Sequence, residues 1–294
     1  MHDSPSVTVG DRLFAALQHV VPKHALSRLI YAVTRSRSPA VKNAILRTFL
    51  RGYRVNMQEA AQPDPFAYAS FNEFFTRALR PGIRPIPAER DAIVSPVDGT
   101  VSQCAAIRDD LLIQAKGRDY SLLELLGGDR AAAEDYRHGS FACVYLAPYN
   151  YHRIHMPYEG VARENLYVPG QLFSVNSATA RAVPSLFARN ERLICHFDTP
   201  VGRMAVILVG ALFVGSIETV HCGEVNPPPR SRQAPQRIAT GVGHTFAKGD
   251  ELGRFNMGST VVLLFQRGRV HFDPSLATGA TLIMGQRIAR GVLQ

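Results

Sequence analysis

A Gly-Ser bond near the end of the 294-residue chain is the feature with the most evident chemistry. It lies in Phe255-Asn256-Met257-Gly258-Ser259-Thr260. Glycine leaves its own carbonyl carbon unobstructed, and the serine hydroxyl that follows can reach that carbonyl. Such a bond can cut itself, although a Gly-Ser pair before the apolar run 261–265 is also typical of an ordinary turn into a strand.

Three residues elsewhere could assist such a serine. Asp98 lies in Ser95-Pro96-Val97-Asp98-Gly99-Thr100, where Asp-Gly is typical of a hairpin turn but a carboxylate could also orient and charge a histidine. His152 and His155 lie three residues apart between Pro148 and Pro157. This spacing puts both imidazoles on one face of a helical turn, or on opposite faces of a strand. Because no nearby Cys, Asp or Glu completes a ligand set with them, we predict no metal site.

Asp98, His155 and Ser259 together supply the orienting group, the base and the nucleophile that activate a hydroxyl. Ser259 lacks the Gly-x-Ser-x-Gly context of a hydrolase elbow. Besides self-cleavage, two hypotheses compete: a serine hydrolase that uses the same three residues on an external ester or peptide, and a non-catalytic membrane-binding module. Both of these predict an uncut chain.

The charge of the chain is concentrated at its N-terminus. The formal net charge is +9, and residues 1–60 hold nine Lys or Arg against three acids, a net of +6. Apolar residues recur there at helical spacing, and Pro22 and Pro39 divide the segment into three short amphipathic helices. Such helices could lie on an anionic membrane, where each cation contributes about 1 kcal/mol, or could pack on a core with solvated cations. No nucleic-acid-binding motif accompanies the charge.

Composition excludes several classes of protein. A hydrophobic content of 46% is ample for a buried core, and no apolar run of 18 residues predicts a spanning helix. The first residues, 1–5, contain early acid and no apolar segment of a secretory signal, so we place the chain on the cytoplasmic side. The four cysteines form no Cys-x-x-Cys pair, which argues for reduced thiols.

The remaining sequence predicts an α+β fold with an antiparallel, β-rich sandwich or barrel-like core behind the N-terminal amphipathic helices. Capping-box spacing predicts one helix from Ser70 to about Leu79 and another from Ser121 to Gly127. We divide the chain into a membrane-docking segment, 1–60, and a catalytic domain, 61–294. Strands are predicted at short β-rich runs: Thr100–Ile107, Phe141–Leu146, Val161–Val168, Leu193–Phe197, Met204–Val209, Phe213–Val220 and Thr260–Phe265.

Five ordered motifs between residues 71 and 265 carry a family resemblance. They are FNEFFTRALRPGIRPI, SPVDGTV, YNYHRIHMP, LFSVN and KGDELGRFNMGSTVVLLF. With them the chain resembles a phosphatidylserine decarboxylase of the bacterial membrane-bound type. One departure is Met257, where such relatives commonly have leucine; the two side chains are similar in volume, and such swaps usually cost less than about 1.5 kcal/mol.

The resemblance implies a proenzyme that cleaves itself between Gly258 and Ser259 into chains 1–258 and 259–294. It implies that Asp98, His155 and Ser259 carry out the cleavage, and that Ser259 becomes a covalent pyruvoyl (pyruvate) cofactor. That group would form a Schiff base with phosphatidylserine and release CO2 and phosphatidylethanolamine, as a lyase of phospholipid biosynthesis. His152 or His155 is expected to protonate the carbanion, because imidazole titrates near neutral pH, and we favour His152 for this role.

The implied substrate stays anchored in a bilayer, which favours membrane docking of residues 1–60. We therefore expect a peripheral protein on the cytoplasmic face of the bacterial inner (cell) membrane, bound to anionic lipid and not to nucleic acid. Relatives in the family suggest a homodimer, which no feature of the sequence establishes.

Overall fold

The computed structural model describes residues 8, 10, 16, 18, 22–115, 118–212, 216–225, 234–257 and 260–293. The helix predicted before Pro22 falls largely outside these residues, as do Gly258 and Ser259. Within them the helices are α1 Lys23–Thr34, α2 Pro39–Gly52, α3 Phe71–Phe75, α4 Leu122–Leu125, α5 Arg130–Tyr136, α6 Ser177–Ala182 and α7 Leu186–Arg189.

The same residues form many short strands, which confirms the predicted α+β fold. The strands are β1 Ala92–Val94, β2 Gly99–Ala106, β3 Leu111–Ala115, β4 Arg118–Ser121, β5 Ser140–Tyr145, β6 Arg153–His155, β7 Gly160–Val168, β8 Arg192–Thr199, β9 Gly202–Val209, β10 Ile217–Thr219, β11 Gly223–Glu224, β12 Gln236–Ile238, β13 Thr245–Phe246, β14 Glu251–Phe255, β15 Thr260–Phe265, β16 Val270–Phe272, β17 Thr281–Leu282 and β18 Arg287–Gly291.

A nine-stranded antiparallel sheet forms the centre of the molecule. Its order is β12-β7-β8-β9-β15-β5-β2-β17, with β13 also paired to β7. A four-stranded sheet, β11-β10-β14-β6, and a three-stranded sheet, β1-β18-β16, contribute residues to the core on one face of it. Strand β15, which begins directly after Ser259 in the sequence, therefore lies between β9 and β5 near the middle of the large sheet.

Strand β15 is apolar from Val261 to Phe265 because both faces of this sheet are buried. Val261, Leu263 and Phe265 belong to the core shared with the smaller sheets. Val262 and Leu264 point the other way, into a core closed by α4, α5, α7 and the β3-β4 hairpin. Side chains alternate between the faces of a strand, so a strand buried on both sides must be apolar throughout.

Both predicted serine N-caps form, but the first helix is shorter than predicted. Ser70 Oγ accepts from Glu73 N at 3.1 Å, and α3 then ends at Phe75 rather than near Leu79. The chain leaves the helix because Leu79 pairs with Ala60 in an isolated antiparallel bridge, so that backbone hydrogen bonds with another segment replace helical ones. Ser121 caps α4 as predicted.

Helices α2 and α3 pack through an aromatic cluster of Phe49, Phe71, Phe74 and Phe75. The Phe49 ring centroid lies 5.3 Å from that of Phe71 and 6.1 Å from that of Phe75. Met257, the last described residue before the Gly-Ser bond, packs against the same cluster. None of the helices in the described part of the chain is long and apolar enough to cross a bilayer.

Candidate active site

Asp98 lies in the turn before β2, and its carboxylate is fully engaged. Arg84 donates to it twice, from Nε to Oδ1 at 3.2 Å and from Nη2 to Oδ2 at 2.6 Å, and Met284 N donates to Oδ1 at 2.7 Å. Arg84 Nη2 also donates to Glu59 at 2.7 Å. The structure therefore holds Asp98 in a buried ion pair, and no hydrogen bond joins it directly to His155, both residues being described.

His155 ends β6, and both nitrogens of its ring have partners. Nδ1 lies 2.8 Å from the carbonyl oxygen of Gly249, and Nε2 lies 2.9 Å from the hydroxyl of Tyr151. Because a carbonyl oxygen only accepts, Nδ1 carries the proton, and Nε2 presents a lone pair to Tyr151. Burial lowers the pKa of His155, partly opposed by the Gly249 hydrogen bond and by Glu251. His155 is thus a neutral imidazole of the kind that a general base requires.

His152 is more deeply buried and also neutral. Its Nδ1 donates to the carbonyl of Asn150 at 2.9 Å, and its ring packs on Phe75 with centroids 4.1 Å apart. Burial lowers the pKa of His152 to about 3, so the expectation that this imidazole titrates near neutral pH is wrong. Nε2 has no hydrogen-bond partner among the described residues, although the side chain is completely buried. A buried lone pair without a partner is costly, and it marks a place where another molecule can donate.

The spacing of His152 and His155 is compatible with a helical turn or a strand, and the structure shows a strand. His155 pairs with Glu251 of β14, and His152 lies just before β6, where its carbonyl accepts from Phe255 N at 3.1 Å. Both histidines therefore lie against β14, the strand that leads directly to Met257 and the Gly-Ser bond.

Asn256 ties the end of β14 to the N-terminal helices. Its amide donates to Ser216 Oγ at 2.6 Å and accepts from Asn72 at 3.0 Å. Arg35, at the end of α1, donates to the same Ser216 at 3.1 Å and to Glu224 at 2.8 Å. A continuous polar network thus runs from α1 to the residue two positions before Gly258.

An apolar cavity of about 740 Å³ opens between the helices and the large sheet. Leu26 of α1 and Phe49 of α2 line one side, and Ala211 lines another. Phe75 and Met257 also line it, so the cavity reaches both the residue that covers His152 and the chain directly before Gly258.

Several residues of this site escape sequence reasoning. Arg84, Gly249 and Tyr151 contact Asp98 or His155, and Arg77 donates to the Asn150 carbonyl that also accepts from His152. Each of them lies in one of the five motifs, Arg77 and Arg84 in FNEFFTRALRPGIRPI, Tyr151 in YNYHRIHMP and Gly249 in KGDELGRFNMGSTVVLLF, which is the available signal. Gly249 has φ +90°, and a side chain there would meet Ile86, so the KGD turn requires glycine to bring its carbonyl to His155.

Comparison with known proteins defines the class of this chain. The family model described as phosphatidylserine decarboxylase matches residues 71–290, and a shorter model described as PSD matches residues 13–54. These two matches cover the β-rich core and the basic helices respectively. The chain is a decarboxylase, a lyase that is made as a zymogen.

Relatives named phosphatidylserine decarboxylase proenzyme align over most of their length. That of Methylococcus capsulatus is 52% identical over 274 residues, which cover 93% of this chain and 95% of the relative. That of Alkalilimnicola ehrlichii is 51% identical over 89% of this chain and 91% of its own. That of Shewanella loihica is 48% identical over 95% of this chain and 99% of its own. The chain belongs to the phosphatidylserine decarboxylase family.

The burial of His152 predicts a specific dependence of stability on pH. In the unfolded chain its pKa returns to about 6.5, against about 3 in the folded chain. The stabilisation by neutral His152 is therefore complete above about pH 6.5 and is lost as the pH falls toward 3. Between these values it contributes a slope of up to about 1.4 kcal/mol per pH unit to the free energy of unfolding.

We expect His152→Phe to lose less stability than the wild-type chain between pH 6.5 and 5, as measured by urea unfolding. His271→Phe, at an exposed position of β16, is the matched control and should keep the wild-type slope. Equal slopes for the wild-type chain and His152→Phe would show that His152 is not held neutral by burial.

Proposed function

We propose that the chain cuts itself between Gly258 and Ser259, converts Ser259 into a pyruvoyl group and decarboxylates phosphatidylserine to phosphatidylethanolamine. The family match and the names of the relatives support this substrate and a processed proenzyme. The observation that carries the proposal is the pair of neutral imidazoles, His152 and His155, beside β14, the strand that leads to Gly258.

In the self-cleavage, His155 takes the hydroxyl proton of Ser259 at Nε2, and the serine oxygen attacks the Gly258 carbonyl carbon. The C–N bond between the two residues breaks, the nitrogen regains a proton from His155, and an ester remains. Loss of the α proton of Ser259 expels the Gly258 carboxylate and leaves dehydroalanine. Addition of water then releases ammonia and leaves a ketone at the new N-terminus.

The described residues near the end of β14 fit such a group. The buried Nε2 of His152 has no partner among the described residues, and the His152 carbonyl accepts from Phe255 N, four residues before Ser259 in the sequence. A pyruvoyl group would supply the electron-accepting carbonyl that decarboxylation of an α-amino acid requires.

His152 acts in this second reaction as a carrier of one proton. At neutral pH its Nε2 is an acceptor, because the Nδ1 proton is committed to Asn150. It takes a proton from the ammonium group of the substrate, so that an N–H bond breaks and an Nε2–H bond forms. After CO2 has left, the same proton goes to the carbon that lost the carboxylate.

The cavity of about 740 Å³ suits a substrate that is charged at one end and apolar at the other. Its lining is mainly apolar, and it lies between the basic helices and Met257. The acyl region of a lipid would occupy the cavity, with the head group toward His152 and the Gly-Ser bond.

Intact mass and variants of purified protein test the self-cleavage. We expect two chains, 1–258 and 259–294, the smaller with a carbonyl that hydroxylamine modifies. Ser259→Ala and His155→Ala should remain uncut, because one lacks the nucleophile and the other lacks the base. An active but uncut wild-type chain would contradict the pyruvoyl mechanism and would support the hydrolase hypothesis.

Variants of His152 separate the two reactions. His152→Gln should still yield two chains, while release of CO2 from phosphatidylserine in mixed micelles should fall by about a hundredfold or more. His271→Gln is the control and should match wild type in both assays. If cleaved His152→Gln retained wild-type decarboxylation, the proton carrier would be another residue.

The N-terminal helices dock the protein on anionic membrane at the cytoplasmic face of the bacterial inner membrane. The cations divide into two groups that the sequence does not distinguish. Lys23 and Lys42 are buried and donate to backbone carbonyls, and Arg35 pairs with Glu224. Arg28, Arg47 and Arg51 are exposed, and Leu29 is exposed beside Arg28 with 58% of its surface accessible. This exposed group suits a lipid surface.

Charge reversal tests the docking surface. Arg47→Glu with Arg51→Glu should weaken sedimentation with vesicles that contain phosphatidylserine by about tenfold or more, because each cation contributes about 1 kcal/mol near such a surface. Arg130→Glu with Arg267→Glu changes the charge equally at exposed positions elsewhere and should bind like wild type. Equal losses in both double variants would refute a localised docking surface.

A further inference from the structure

The hydroxyl of Tyr151 is the group in contact with the basic nitrogen of His155. The two rings stack with centroids 5.7 Å apart at an interplanar angle of 30°, and the Tyr151 hydroxyl lies 2.9 Å from Nε2. Since Nδ1 donates to the Gly249 carbonyl, the Tyr151 hydroxyl must be the donor at Nε2. The nitrogen that would take a proton from the nucleophile is therefore already accepting a hydrogen bond.

Tyr151 also lines a cavity together with Asp98. This cavity has a volume of about 230 Å³, and Arg84 lines it too. The Asp98 carboxylate accepts hydrogen bonds from Arg84 and from the backbone of Met284, and it has no direct hydrogen bond with His155. Tyr151 is buried, with 5% of its surface accessible, and its hydroxyl contacts His155 Nε2.

We propose that Tyr151 is a positioning residue for His155, and that Asp98 acts on His155 through the Tyr151 hydroxyl rather than by a direct hydrogen bond. The inference rests on the proposed self-cleavage. In the triad pattern, Asp98 would orient His155 directly. Here the Gly249 carbonyl and the Tyr151 hydroxyl orient the ring instead.

One proton moves in this arrangement, from the nucleophile to His155. Before reaction, the Tyr151 O–H donates to the Nε2 lone pair of neutral His155. Nε2 has a single lone pair, so the Tyr151 O–H turns away from it before Nε2 takes the proton of the nucleophile. An N–H bond then forms at Nε2, and the Tyr151 oxygen changes from donor to acceptor. Its own O–H bond stays intact and is directed toward the cavity that Asp98 and Arg84 also line. No bond of Tyr151 breaks, and the single proton gained by His155 is the one lost by the nucleophile.

Several charged groups face His155 besides Tyr151. Glu251 pairs with it across β6 and β14, Arg153 lies two residues before it and is bridged to Glu251 at 2.7 Å, and Asp98 faces it from the turn before β2. These groups remain in a Tyr151 variant. A change in the titration of His155 on removal of the hydroxyl is therefore attributable to that hydroxyl.

The test is the rate of self-cleavage as a function of pH, for full-length chain made by cell-free translation and resolved by gel electrophoresis. Tyr151→Phe keeps the ring and removes the hydroxyl. We expect cleavage about tenfold slower or more at the optimum. The acid limb of the profile should move to higher pH, because the lost hydrogen bond favoured neutral His155. Tyr120→Phe, a buried tyrosine of β4, should leave rate and profile unchanged.

A second substitution changes the hydroxyl without removing it. With 3-fluorotyrosine at position 151 the hydroxyl is a stronger donor, so the acid limb should move the opposite way, to lower pH. A variant that lost cleavage only through misfolding would not give opposite shifts for the two replacements. If both leave rate and acid limb as in wild type, Tyr151 does not position His155.

Asp98→Asn combined with Tyr151→Phe tests the route between Asp98 and His155. If Asp98 acts through Tyr151, the double variant should be little slower than the slower single variant. If the two slowing factors multiply, Asp98 acts by another route and that part of the proposal is wrong. A wild-type chain that stays uncut, or a Ser259→Ala chain that is cut, would instead overturn the proposed function itself.

Discussion

The withdrawal of two imidazoles from water is the constraint on which the candidate site depends. Burial penalises the charged form of a histidine, so His152 and His155 are held neutral, each with a proton on Nδ1 and a lone pair at Nε2. The backbone carbonyls of Asn150 and Gly249 select this tautomer because they can only accept. At neutral pH, His155 can therefore act as a base and His152 as a proton acceptor, because neither ring has to lose a proton first.

The fold shields the rings of His152 and His155 from water and fixes their positions. Phe75 covers His152 because α3 is packed on α2 through Phe49, and the strand pair β6-β14 fixes His155 opposite Glu251. β15 anchors the chain beyond the Gly-Ser bond in the middle of the large sheet, and Asn256 anchors the chain before it. The reactive bond therefore joins two segments that are each held by the core, with a polar network leading back to α1.

Local signals in the sequence predict local structure well. The β15 bounds, the caps at Ser70 and Ser121 and the breaks at Pro22 and Pro39 follow from residues within a few positions of each other. The length of α3 does not, because its end is set by pairing of Leu79 with Ala60. The identity of the family follows from five ordered motifs, whose combination is far more specific than any one of them.

Partners that are distant along the chain account for what sequence reasoning missed at the site. Gly249 is 94 positions from His155, and Met284 is 186 positions from Asp98. Which cations of residues 23–54 are buried also depends on tertiary contacts, as the bonds of Lys42 to the carbonyls of Phe66 and Tyr68 illustrate. Residue types identify candidates for a catalytic set, whereas the fold decides which of them touch.

The protonation state of His155 is the central claim, and nitrogen NMR of the imidazoles measures it directly. The sample is full-length Ser259→Ala chain, labelled with ¹⁵N-histidine, at pH 7, with His155→Gln to assign the signals. The account predicts a neutral ring for His155 with the proton on Nδ1 and a hydrogen-bonded, unprotonated Nε2. An imidazolium, or a neutral ring with its proton on Nε2, would contradict it.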